Sequence, residues 1–175
     1  MIVDPLVLAA FLPAALALNL TPGADMMFCV AQGLRAGPSA ALAASVGISA
    51  GVLAHAAAAG LGLAAVVAAM PGALDVLRWA GAAYLLWLAR GALRAGSPAL
   101  ASAGPPGGGV PGVTPAGAFR DGGLVNLSNP KVILFVLAFL PQFVDPSGGA
   151  VFAQFLSLGA LLSLGGFAIN GAAGL

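Results

Sequence analysis

Residues 19–25 read Asn-Leu-Thr-Pro-Gly-Ala-Asp, and residues 126–131 read Asn-Leu-Ser-Asn-Pro-Lys. Each segment lies inside a long apolar stretch and contains Asn-Leu, then a hydroxyl residue, a proline and a charge. Proline removes a backbone donor, clashes with the carbonyl one turn earlier and pushes the residue before it away from helical geometry. Both segments therefore predict a break inside an apolar helix, with polar side chains beside the break.

The composition around these segments is typical of a chain in lipid. Of the 175 residues, 61% are hydrophobic and 6% are charged, and the mean hydropathy is +1.06. Soluble domains carry about 25% charged residues, so this chain could not cover a water-facing surface. We predict an all-α membrane protein, a polytopic helix bundle that forms a single transmembrane domain over residues 1–175.

A membrane-spanning helix takes about 20 mostly apolar residues, and charges and prolines divide the chain at that scale. The predicted spans cover residues 5–34, 40–70, 74–93, 118–144 and 150–172. Residues 95–118, rich in Gly, Pro, Ala and Ser, predict a flexible linker between the third and fourth spans.

The basic residues indicate how these spans are oriented. Four arginines fall on the side opposite the N-terminus, namely Arg35, Arg90, Arg94 and Arg120. On the side of the N-terminus, the one basic residue is Arg78. Cytoplasmic loops carry an excess of Lys and Arg. We therefore predict a multi-pass protein of the bacterial inner membrane, with the N-terminus outside and the linker in the cytoplasm. The net charge of +1 gives no indication of a nucleic-acid partner.

The two broken segments carry charges of opposite sign at similar depth. Asp25 lies ten residues before Arg35, and Lys131 lies eleven residues after Arg120, which is about 15 and 16 Å at helical rise. Both charges then lie near the middle of a hydrocarbon core about 30 Å thick. Charges at this depth pair with one another or line a pathway, so we predict an ion pair or a shared polar cavity.

The broken spans also run in opposite directions, which is the mark of an inverted repeat of three plus three helices. Transporters of that type hold their substrate at the midplane, among discontinuous helices. The candidate residues for a substrate or ion pathway are Asn19, Thr21, Pro22, Gly23, Asp25, Asn126, Asn129, Pro130 and Lys131. His55, the one histidine, and Gln142 are weaker candidates. A purely structural role stays open, because prolines also kink membrane helices and Asn and Thr also join them.

Several motifs resemble those of the LysE/RhtB family of bacterial amino-acid exporters, in the family's order and over roughly residues 5–165. They are the two segments quoted above together with Gly33-Leu-Arg-Ala-Gly37, Gly47-Ile-Ser-Ala-Gly51, Gly81-Ala-Ala-Tyr-Leu85 and Leu140-Pro-Gln-Phe143. The resemblance implies a secondary transporter that exports amino acids or their derivatives across the inner membrane and is driven by protons. It implies no cofactor; a homodimer is kept open as the assembly.

The chain departs from the family's pattern in two places. Ala24 stands where the family has proline, which is expected to soften the first break. The family has six helices, whereas this chain ends near its fifth predicted span, so the last helix of the repeat is expected to be absent or truncated.

Two other functions stay open beside amino-acid export. A metal or ion exporter would need clustered carboxylate, His or Cys ligands. The predicted spans contain Asp25, Cys29 and His55, which are widely spaced in the sequence. An inactive fragment or membrane subunit would fit the early end of the chain. An enzyme is not predicted, because the sequence shows no nucleophile–base pair, metal motif or nucleotide-binding loop.

Overall fold

The computed structural model describes residues 3–69, 76, 79, 83, 90, 113–148 and 150–175. The regular structure of these residues is helical, and the continuous helices are α1 (Pro5–Leu20), α2 (Ala24–Ala36), α3 (Pro38–Ala69), α4 (Pro115–Leu127), α5 (Pro130–Leu134) and α6 (Val151–Gly174). A π turn over Phe135–Phe139 and a 3-10 turn over Leu140–Phe143 continue α5. Most of the predicted third span and most of the predicted linker lie outside the described residues.

Two kinds of apolar segment are long enough to cross a membrane. The helical stretches Pro38–Gly62 and Val151–Gly174 are straight candidates, with mean hydropathies of 1.6 and 1.7. The other two are bent pairs: α1 and α2 meet at 50°, and α4 meets the segment Pro130–Phe143 at 53°. The predicted polytopic, all-helical membrane protein with two broken helices is confirmed.

The first break lies where the sequence placed Thr-Pro-Gly. The backbone N–H and the hydroxyl of Thr21 both donate to the Ala17 carbonyl, at 3.0 and 2.7 Å, and these bonds close the last turn of α1. Pro22 cannot continue the helix, and Gly23 is extended with φ −166°. The bend here, 50°, is close to the 53° of the second break.

The second break is made by Asn129 and Pro130. Asn129 caps α5, because its side-chain oxygen accepts from the Lys131 backbone N–H at 3.0 Å, and proline occupies the first helical position.

The start of α4 is capped by Thr114, whose side-chain oxygen accepts from the Gly117 N–H at 3.1 Å. Helix α4 therefore begins at Pro115, three residues before the predicted start of the fourth span.

Helix α3 lies between α4 and α6 and packs closely against both. On one face, Gly47 lies against the backbone carbonyl of Phe119, and Gly122 of α4 lies against that of Ala44. On the other face, the backbone of Gly159 on α6 meets the side chain of Ala56. Small residues at such crossings let helix backbones approach closely in lipid, where packing rather than water exclusion joins the helices.

Serine hydroxyls add hydrogen bonds between α3 and α6. Ser49 and Ser163 donate to each other's backbone carbonyl, at 3.3 and 3.1 Å, and Ser45 donates to the Phe167 carbonyl at 3.0 Å. The two straight helices, α3 and α6, are thus joined by close packing and by hydrogen bonds. The two broken helices pack against them, and both breaks face the same space inside the bundle.

The turn before α6 is held by its own hydrogen bonds outside the apolar segments. The side-chain amide of Gln154 accepts from the Asp145 N–H and donates to the Asp145 carbonyl, both at 2.9 Å. The hydroxyl of Ser147 donates to the Asp145 carboxylate at 2.6 Å. That bond, with the Ser147 backbone N–H, holds the pKa of the Asp145 carboxyl below its ordinary value.

Candidate functional site

The two breaks meet at one polar cavity inside the bundle. Six of the nine residues predicted from the sequence line this cavity, namely Asn19, Thr21, Gly23, Asp25, Asn129 and Lys131. The straight helices complete the wall with polar residues that sequence reasoning did not single out: Ser49 from α3, and Ser163 and Asn170 from α6. Small polar residues in an apolar helix also serve in packing, so the sequence alone did not assign these three to a site.

Lys131 bridges the second break to the first. Its Nζ donates to the Thr21 backbone carbonyl at 2.6 Å, and it would lie 3.5 Å from a β-carbon built on Gly23. In an unbroken helix the Thr21 carbonyl would accept from the backbone N–H four residues later. The lysine therefore satisfies a carbonyl of the break, across 110 residues of sequence.

Asp25 bridges the breaks in the other direction. It lies in the first turn of α2, where the helix dipole favours a carboxylate. Its Oδ2 accepts from the side-chain Nδ2 of Asn126 at 2.9 Å. Asn126 is fully buried near the end of α4, so this bond joins the start of one half-helix to the end of another.

The two opposite charges share the cavity but do not pair directly. Among the described residues, the ion pair present joins Arg120 and Asp121 at 2.9 Å, and both of those side chains are substantially exposed. Lys131 is bonded to the first break and Asp25 to Asn126 of the second. The cavity is therefore lined by a lysine side chain and a carboxyl group, and each of them is bonded to the opposite break.

The remaining predicted residues lie beside the cavity rather than on its wall. Pro22 and Pro130 are exposed at the breaks, and Asn126 lies behind Asp25. The ring Nε2 of His55 is 3.3 Å from the backbone carbonyl of Asn126, so its N–H donates there and the histidine supports the second break from behind. Gln142 donates to the Ala138 carbonyl at 3.1 Å in the 3-10 turn and does not line the cavity.

Asn126 fits against α3 because position 51 is glycine. A β-carbon built on Gly51 would lie 2.6 Å from Asn126 Oδ1 and 2.9 Å from its Cβ. One built on Gly62 of the same helix would meet no described residue within 4 Å. The backbone of Gly51 therefore makes room for the asparagine that holds Asp25.

These two glycines give a matched pair for a test of that packing. We expect Gly51→Ala to displace Asn126 and destabilise the protein by about 1–3 kcal/mol, the usual cost of overpacking. Gly62→Ala should stay within about 0.5 kcal/mol of wild type, as open surface sites do. Thermal unfolding of the purified variants measures both effects. Equal melting temperatures for the two variants would show that the Gly51 contact does not hold Asn126 in place.

The fold and cavity define a class: a helical membrane protein whose two broken helices surround a polar site at their breaks. Residues 16–169 match the LysE type translocator family. The chain belongs to the LysE type translocator family, as its motifs indicated.

Relatives agree with this assignment. The chain is 35% identical over 150 residues to an "Uncharacterized membrane protein" of Vibrio cholerae, covering 86% of this chain and 70% of that one. It is 32% identical over 156 residues to the "Homoserine/homoserine lactone efflux protein" of Salmonella typhimurium, with the same coverage. It is 32% identical over 151 residues to the "Leucine efflux protein" of an Enterobacter species, covering 83% of this chain and 67% of that one. No solved structure matches the chain.

Proposed function

We propose that this protein is a secondary transporter that exports amino acids or their close derivatives across the bacterial inner membrane, driven by the proton gradient. The observation that carries the proposal is the cavity between the breaks, where an ammonium from α5 and a carboxyl group from α2 line one wall. Broken helices at membrane depth are tolerated where they line a cavity, and secondary transporters hold substrates at such breaks.

A zwitterion fits the charges of this cavity in one orientation. Its carboxylate would approach the Lys131 ammonium, close to the start of α2, where the helix dipole also favours negative charge. Its ammonium would approach Asp25 and the neighbouring hydroxyl and amide oxygens, such as those of Ser49 and Asn170. The relatives named for efflux of homoserine, homoserine lactone and leucine support the same class of exported compound.

The proposed orientation has the N-terminus outside and the linker in the cytoplasm, as the arginine distribution predicts. A fluorescent protein fused within residues 95–118 should then fluoresce, since it folds in the cytoplasm. An alkaline phosphatase fused at the same position should be inactive, because that enzyme needs the periplasm. The opposite pair of results would reverse the proposed orientation.

The transport test uses the protein reconstituted into liposomes. We expect vesicles loaded with labelled homoserine or leucine to release the label when protons are supplied on the outside, and a protonophore to stop that release. Empty vesicles give the background. Release of metal cations but not of amino acids would favour a metal exporter, although the described residues contain no group of three or more His, Cys, Asp or Glu able to hold a metal ion. Release of neither would favour a membrane subunit without transport of its own.

A further inference from the structure

We infer that Asp25 and Asn126 form the proton-binding site of this protein, as a pair between a carboxylic acid and a side-chain amide. In this pair Asp25 carries a proton on Oδ1 and donates it to Asn126 Oδ1, while Asn126 Nδ2 donates to Asp25 Oδ2. The inference rests on the proposed function, because it names the group that carries the coupling proton of the proposed exporter.

Two buried oxygens carry this inference. Within the part of the chain that the structure describes, neither Asp25 Oδ1 nor Asn126 Oδ1 has a hydrogen-bond partner, although buried polar groups in proteins are nearly always paired. The two side chains already touch through Asn126 Nδ2 and Asp25 Oδ2, at 2.9 Å. An ionised carboxylate only accepts, whereas a protonated one also donates. One proton on Asp25 Oδ1 therefore gives both oxygens a partner at once.

The space around Asn126 selects a proton over a larger cation. The oxygen Oδ1 of Asn126 packs so closely on α3 that even a single β-carbon on Gly51 would come within 2.6 Å. A sodium ion bound by oxygens needs several ligands and room for them, while a proton on Asp25 needs no added volume. The Asn126 side chain is also fully buried.

Among the residues that the structure describes, three charged or titratable groups surround this pair. They are Lys131 from α5, His55 from α3 behind Asn126, and the buried Cys29 one turn along α2. An ionised Asp25 would draw the ammonium of Lys131, since both line the same cavity. Lys131 instead donates to the Thr21 carbonyl at 2.6 Å.

Loss of the proton changes the partners of α2. The proton passes from Asp25 Oδ1 to solvent in the cavity, and the carboxylate then faces an Asn126 oxygen to which it can no longer donate. Lys131 is the cation on the same cavity wall and becomes its partner. With the proton bound, the first turn of α2 is bonded to the end of α4 through Asn126. Without the proton, it is bonded to the start of α5 through Lys131. A proton gradient can shift the balance between these two conformations.

Infrared spectroscopy of the reconstituted protein tests the pair without measuring transport. At neutral pH we expect a carbonyl band of a protonated carboxyl group in the wild type, its loss in Asp25→Asn, and a shifted or lost band in Asn126→Ala. Asp121→Asn removes an exposed carboxyl group and should keep the band. A neutral-pH spectrum without any band that depends on Asp25 would overturn the inference.

Thermal unfolding gives a second measurement of the bound proton. It compares the wild type with Asp25→Asn and does not require the Asn126→Ala variant to fold. If the native state holds a proton that the unfolded chain releases, the melting temperature of the wild type falls as the pH rises above neutrality. Asp25→Asn places an amide where the protonated acid was, so it can keep both bonds to Asn126 and should show a smaller fall. Equal pH dependence in both proteins would contradict the pair. Transport without the band would refute this inference alone, and the band without transport would refute the proposed function alone.

Discussion

Replacing Lys131 by methionine is expected to reduce export by about tenfold to a hundredfold. The substitution keeps an unbranched side chain of similar length but removes the ammonium that donates to the Thr21 carbonyl and faces the cavity. Lys131 is partly buried, and a hydrogen bond made by a charged group contributes about 1.5–3 kcal/mol, where each 1.4 kcal/mol is about a factor of ten. Release of labelled leucine or homoserine from loaded vesicles measures the loss.

Arg120→Met is the matched control for that substitution. Arg120 is 74% exposed and pairs with the neighbouring Asp121 on the surface of α4, and exposed ion pairs contribute about 0–1 kcal/mol. This variant should export within about twofold of wild type. If Arg120→Met and Lys131→Met lose export equally, the effect reflects a general need for positive charge rather than the cavity.

Asp25→Asn is the second substitution with a large expected effect. The variant should fold, because its amide can still accept from Asn126, yet it should lose release driven by a proton gradient. Asp121→Asn, which removes an exposed carboxylate, is its control. Wild-type export by Asp25→Asn would exclude Asp25 as a carrier of the coupling proton.

The double variant Asp25→Asn/Lys131→Met distinguishes a transport site from a pair of charges with a purely structural role. A single charge at the membrane midplane costs about 2.5–3.5 kcal/mol on insertion scales, so removing both charges relieves that cost. If the two charges served only to neutralise each other, the double variant would regain export. We expect it to be as stable as the wild type in thermal unfolding and to remain inactive.

The sequence predicted the breaks because proline acts locally. Pro22 follows the end of α1 and Pro130 occupies the first helical position of α5, and the structure bends the two segments by 50° and 53°. Pro13 lies inside α1 without a break, so the polar residues beside Pro22 and Pro130 were needed for the prediction as well as the prolines. Counting residues along helices predicted a similar depth for Asp25 and Lys131, and both side chains line one cavity. Family membership followed from motifs at those same breaks, and the match over residues 16–169 confirms it.

The hydrogen-bond partners of the site residues did not follow from the sequence. Counting residues along a helix predicts how deep a side chain lies, but not the direction in which it points around the helix axis. Asp25 and Lys131 were expected to pair or to share a cavity. Both line one cavity, and each is bonded to the opposite break rather than to the other charge. The bond between Asp25 and Asn126 depends on the room left by Gly51. That contact depends on how α3 and α4 cross, which one sequence does not specify.

The central proposal is that the cavity between the two breaks handles the substrate through Asp25 and Lys131. Its most direct test is proton-driven release of labelled amino acid from proteoliposomes containing each of the folded single variants. We expect release from the wild type, Arg120→Met and Asp121→Asn, and background release from Asp25→Asn and Lys131→Met. Wild-type release by both cavity variants would contradict the proposal.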